Sequence, residues 1–150
     1  SASLVGSEMC IRDSYSHPLF LRMVNEHGFE SCDKDTFPQF LQKPGLSMVV
    51  FIEDPNRMKE TMDALVIAPE LAKSCGLIEH KAVVGPPNAR KLAVTYGFKR
   101  WPALVFFRDG KYLGAVDGLR LWADLVREAD EIMHSEPHYP PSVGIPVRSI

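Results

Sequence analysis

The stretch that most constrains this chain is Tyr96–Gly118, YGFKRWPALVFFRDGKYLGAVDG. Gly97 can close a helix, because glycine enters the left-handed cap conformation without a Cβ penalty. Trp101-Pro102 then opens the apolar run Ala103–Phe107, short and aromatic enough for a buried strand. Pro102 has no N–H to give a sheet, so it belongs at the strand's start. Asp109-Gly110 is a two-residue hairpin turn. Lys111–Val116 is the returning strand, and Gly118 ends it before another helix.

Upstream, the pattern alternates. Pro18 suits the first position of a helix, and Leu19, Phe20, Met23 and Val24 form its apolar stripe before Gly28 stops it. Phe29–Cys32 reads as a short strand. Asp33–Thr36 supplies N-caps, and Phe37, Phe40 and Leu41 mark a short amphipathic helix ended by Lys43-Pro44-Gly45. Met48–Ile52 is continuously apolar, as a central strand buried on both faces is. A helix over about Ala64–Cys75 contains Pro69, which removes one internal hydrogen bond. Lys81–Val84 is a third parallel strand. Ala89, Leu92, Ala93 and Tyr96 recur at helical spacing. The last helix, about Leu119–His134, sets Leu121, Trp122, Leu125, Val126, Ala129, Ile132 and Met133 on one side. This order predicts an α/β fold: a mixed sheet flanked by helices, ending in an antiparallel hairpin and a helix.

The order Tyr-Gly, Pro102, strand, Asp-Gly, strand, Gly118 resembles the C-terminal half of a thioredoxin domain. The resemblance implies a cis Trp101-Pro102 bond, and Ala68-Pro69 matches the kinked helix of that fold. The domain is expected over residues 17–136. Residues 1–16 read as a flexible arm and 137–150 as a Pro-rich extended or disordered tail.

At 150 residues the chain fits one domain and needs no metal or disulfide staple. A net charge of -2 gives no basic field for nucleic acid. No apolar run approaches the roughly 20 residues of a membrane helix, and the first residues lack a secretory layout. Cys10, Cys32 and Cys75 are odd in number and widely spaced, which fits a reducing compartment, here the cytoplasm. No cofactor is expected. Of the histidines, His134 and His138 have helical spacing, but Pro137 separates them, and zinc wants about four converging ligands.

The thioredoxin pattern lacks its reactive pair. No Cys-X-X-Cys occurs, and Asp54–Leu65, which follows the central strand, contains no Cys, Ser or His. Cys75 and Cys32 read as small buried hydrophobes. The polar loop Glu53–Arg57 has two readings of equal weight. It is a solvated connection, or a binding loop at the carboxyl end of the central strand, where open α/β sheets take ligands.

A closer resemblance bears on that choice. Asp54-Pro55-Asn56-Arg57, Ile67–Leu71, Arg100–Phe106 with Asp117-Gly118, and Trp122–Leu125 are similar to the HyaE, HupG or HoxO family of hydrogenase maturation proteins. The similarity spans about Pro18 to His134 and includes the cysteine-free loop. It implies a non-catalytic, thioredoxin-like chaperone for an uptake [NiFe] hydrogenase. The implied partners are the small-subunit precursor with its twin-arginine signal peptide, and other maturation proteins. A receptor for adjacent arginines needs carboxylates beside an apolar strip. The expected binding residues are therefore Glu53, Asp54, Pro55, Arg57, Glu60, Asp63, Trp101 and Pro102. A competing acidic surface is Asp124, Glu128, Asp130 and Glu131 on the last helix. The rival functions are a thiol-dependent oxidoreductase using Cys75 or Cys32, and a scaffold joining other maturation factors.

Overall fold

The structure is a computed structural model that describes residues 18–53, 60–86, 88–98, 100–118 and 120–137. The arm at 1–16 and all of the tail beyond residue 137 lie outside the described residues, as do Cys10, His17 and His138.

Among the described residues ten elements follow in order: α1 (Pro18–Glu26), β1 (Glu30–Cys32), α2 (Phe37–Phe40), β2 (Leu46–Phe51), α3 (Glu60–Cys75), β3 (His80–Val84), α4 (Asn88–Tyr96), β4 (Ala103–Arg108), β5 (Lys111–Asp117) and α5 (Trp122–Met133). They build one five-stranded sheet in the order β1-β3-β2-β4-β5. β2 lies at its centre, parallel to β3 and antiparallel to β4. All six residues of β2 are buried, which is why Met48–Phe51 runs unbroken in apolar side chains; Ser47 is the buried polar exception.

Strand periodicity divides the core into two layers. Met48, Val50 and Ile52 face a layer with Phe20 and Met23 of α1, Leu65, Ala68 and Leu71 of α3, and Leu125, Ala129 and Met133 of α5. Val49 and Phe51 face the other side with Phe37, Phe40, Ala89 and Phe98. There Phe37 meets Phe51, Phe107 and Tyr96 edge-on at 5.9–6.1 Å. Such pairs add about 0.5–1.5 kcal/mol each beyond area burial. The same burial pushes the Tyr96 hydroxyl up to about 12.

The hairpin forms where the sequence places it. Asp109 and Gly110 have φ of 53° and 80°, the two positive values that a type I′ turn demands. Gly110 is also required sterically, since a Cβ there would collide with the backbone carbonyl of Leu41. Gly97 closes α4 at φ 70°, and Trp101-Pro102 is cis.

Strand ends differ from the sequence reading by a residue or two, and two helices start elsewhere. α3 begins at Glu60 rather than Ala64; apolar periodicity registers a helix from the residues it buries, among which Ala64 and Leu65 are described. α5 begins at Trp122, not Leu119. Leu121 is extended and 77% exposed, and Trp122 is 47% exposed. The buried face of α5 is set by Leu125, Ala129 and Met133 at a spacing of four. Trp122 stands before that series and lines a surface groove with Cys75, Leu77 and Val126 instead.

Candidate functional site

β2 runs into the expected site. Its hydrogen bonding to β3 continues past its last residue, as the Ile52 N–H donates to the Val84 carbonyl at 3.0 Å. The next residue, Glu53, turns its carboxylate toward α4. Arg90 donates to it through Nε at 2.6 Å and Nη2 at 2.7 Å, the two-pronged geometry that guanidinium and carboxylate favour. The Glu53 side chain is 14% exposed and that of Arg90 48%, so the carboxylate is walled in and the guanidinium lies outside it.

Trp101 sits at the same level. Phe51 pairs with Ala103 across β2 and β4, and extending that antiparallel register by two residues sets Glu53 opposite Trp101. Trp101 is half-buried and packs edge-on against Phe98 with centroids 5.2 Å apart. Both rings belong to the layer that α2 and α4 cover. Pro102 belongs to the other face. It is buried, its carbonyl accepts the Gly118 N–H at 2.7 Å, and it lines a narrow crevice with Ala64, Ile67, Ala68, Leu104 and Leu125. The crevice holds about 20 Å³, room for one water.

The expected residues therefore divide. Glu53 and Trp101 share one face of the sheet's end. Pro102 lies on the opposite face, where α3 carries the exposed Asp63 in its first turn. Glu60 opens α3, and its side chain is outside the described set. Asp54, Pro55 and Arg57 lie outside the described residues altogether.

Three arginines at this end were missed by sequence reasoning. Arg90 meets Glu53 from 37 residues away, and no local pattern announces such a pairing. The Arg100 N–H donates to Asp117 Oδ2 at 3.2 Å. Arg120 donates to the Asp117 carbonyl at 2.6 Å and pairs with Glu128 at 3.1 Å. The described part of this end is thus mixed in charge rather than purely acidic.

The rival surface on α5 is threaded by ion pairs. Arg127 reaches Asp124 at 3.3 Å and Glu131 at 4.0 Å, and His134 lies 3.4 Å from Asp130. Exposed pairs of this kind contribute about 0.2–1 kcal/mol each. The thiols stand apart from this chemistry. Cys32 is buried at the end of β1 and Cys75 half-buried at the end of α3. Burial pushes both up from the ordinary thiol value, away from the thiolate that attacks disulfides. Among the described residues, no helix is long and apolar enough to cross a membrane.

Among solved structures, thioredoxin f2 of Chlamydomonas reinhardtii superposes with a TM-score of 0.57 at 19% identity, covering 69% of this chain and 95% of that one. The J-Trx1 fragment of ERdj5 gives 0.58 at 20% identity, over 77% of this chain and 56% of the fragment. These likenesses show the fold, which is thioredoxin-like. Among relatives, the hydrogenase expression/formation protein HoxO of Cupriavidus necator is 33% identical over 137 residues, 88% of this chain and 83% of its own. HupG of Rhodobacter capsulatus, described in the same words, is 31% identical over 119 residues, 79% of this chain and 86% of its own. The family described as hydrogenase-1 expression protein HyaE matches residues 19–125. The chain belongs to that family, the HyaE-type hydrogenase expression proteins.

Proposed function

We propose that this protein is a non-catalytic chaperone in the maturation of an uptake [NiFe] hydrogenase. It binds the small-subunit precursor and its twin-arginine signal peptide in the cytoplasm, before export. The observation that carries this reading is the end of β2. A thioredoxin fold leads there into a connection that contains no cysteine, and burial of Cys32 and partial burial of Cys75 push both thiols up, away from the reactive thiolate. What this end offers instead is recognition chemistry: a carboxylate that already holds a guanidinium, an aromatic ring level with it, and an apolar crevice behind.

The residues proposed to meet the client are Glu53, Asp54, Pro55, Arg57, Glu60, Asp63, Trp101 and Pro102. Arginine fits such a surface because its planar fork binds carboxylates and stacks on aromatic rings. Charge sets register and on-rate, while burial of the client's apolar segment supplies most of the affinity.

The test is a pull-down of small-subunit precursor with and without its signal peptide, run beside an insulin-disulfide reduction assay. Capture that depends on the signal peptide, with no reduction of insulin, is the expected result. Equal capture of both forms points to contacts on the mature subunit or to a scaffold role. Turnover of insulin disulfides overturns the non-catalytic reading.

A further inference from the structure

The internal guanidinium on Glu53 has a consequence for how a client gains access. We propose that Arg90 is a built-in occupant of a guanidinium receptor centred on Glu53, and that a partner's arginine binds by displacing it. The identity of the partner rests on the reading above; the receptor rests on the geometry alone.

Three observations carry it. First, the receptor is already formed. Both carboxylate oxygens of Glu53 are engaged by one guanidinium at 2.6 and 2.7 Å, so an incoming arginine finds the pocket shaped for its fork. Second, the exposures are unequal. Glu53 is 14% exposed and Arg90 48%, so the occupant lies on the solvent side of the carboxylate. Third, α4 is anchored without the pair. Ala89 is fully buried, its N–H donates to the Gly85 carbonyl at 3.0 Å, and Leu92 and Ala93 pack on the same layer. Loss of the Arg90 contact therefore leaves the helix in place. Trp101, like Glu53, lies two residues beyond the last β2–β4 pair, and its half-buried ring is the aromatic group assigned to stack on the displacing side chain.

An internal competitor lowers apparent affinity by the fraction of time it leaves the site open. It also selects: a lysine cannot reproduce the two-pronged contact it would have to replace. Arg90 thus acts as a gate that weak or merely basic ligands do not pass.

The experiment uses the full chain and a short synthetic peptide with two adjacent arginines, with the matching dilysine peptide as control. Removing the occupant by Arg90→Ala is expected to tighten diarginine binding about tenfold, as for a site closed roughly nine-tenths of the time. The gain should vanish in Arg90→Ala/Glu53→Gln and be absent with dilysine. A second measurement needs no variant: on the wild-type protein, the Arg90 Nε–H resonance should shift as diarginine peptide is added. The proposal is overturned if Arg90→Ala binds diarginine no more tightly than wild type, if the gain survives Glu53→Gln, or if saturating peptide leaves the Arg90 resonance unmoved. Precursor captured by wild type without any such gain would sink the gate and spare the chaperone reading. A gain in peptide binding by a protein that never captures precursor would do the reverse.

Discussion

The two ends of the sheet are closed by different chemistry. At the hairpin end, side chains and backbone interlock. The Gly45 N–H donates to Asp109 Oδ1 at 2.8 Å, and the Asp109 N–H returns a bond to the Gly45 carbonyl at 3.0 Å. The Glu79 N–H donates to the Leu46 carbonyl at 2.8 Å, while Glu79 Oε2 accepts from the Leu46 N–H at 3.3 Å. Arg108 donates to the carbonyls of Met133 and Ser135 and so caps α5. At the other end, where β2 finishes, backbone bonds such as that of the Gly118 N–H to the Pro102 carbonyl and of Arg120 to the Asp117 carbonyl stand beside two pairs that join side chain to side chain, Glu53 with Arg90 and Arg120 with Glu128. A bond to a backbone carbonyl fixes where the chain runs. A bond between two side chains can change partners while the chain stays put. On the proposed reading the Glu53–Arg90 pair is the contact that exchanges, while the hairpin end holds.

Breaking the rigid end should cost most. Gly110→Ala puts a Cβ into the Leu41 carbonyl at φ 80°. The left-handed conformation alone costs a non-glycine residue about 1–2 kcal/mol, and the forced backbone shift raises the loss to roughly 3 kcal/mol or more. Urea unfolding measures it; a loss below about 1 kcal/mol would mean that this end is not interlocked. Cys32 lies at the β2 end but in its buried layer. Cys32→Ser should cost about 1–3 kcal/mol, because a hydroxyl is costlier to bury than a thiol even with the Thr36 side chain in reach, while precursor binding by the folded variant is retained. Lost binding by a variant that still folds would move the thiol from packing to function. A double-mutant cycle on Glu53 and Arg90 should give a coupling of about 1–2 kcal/mol, between the values for exposed and buried pairs. A larger coupling would make that end as fixed as the hairpin and weaken the case for exchange. Arg22→Ala on α1 sets the floor. Its pairing with Glu26 is exposed and one helical turn long, worth about 0.3–0.5 kcal/mol.

How far each end could be read from sequence follows the same division. The hairpin end is local: Asp109-Gly110 is a turn because of what two adjacent residues can do with φ. The buried strands were legible for the same reason, since Met48–Phe51 of β2 and Ala103–Phe107 of β4 are continuously apolar. The β2 end is made of long-range encounters. Glu53 was visible as a polar residue after a strand, but Arg90 could be placed on it only by the packing of α4. Trp101 and Pro102 stand before β4 and pack on different layers, Trp101 with Phe98 and Pro102 with Ala64 and Leu125. That split went unread because the two were taken as one apolar strip. Trp122 was misassigned to the core because helical spacing says which residues share a side, and not how far along the helix the core extends.

The most direct test of the β2 end as the client surface is calorimetric titration of small-subunit precursor onto two charge reversals. One carries Glu53→Lys and Asp54→Lys, the other Asp124→Lys and Glu131→Lys on α5. If the β2 end receives the client, the first loses affinity and salt dependence while the second binds as wild type does. Loss of binding by the α5 variant, with the β2-end variant unaffected, would place the client on the last helix and contradict the site.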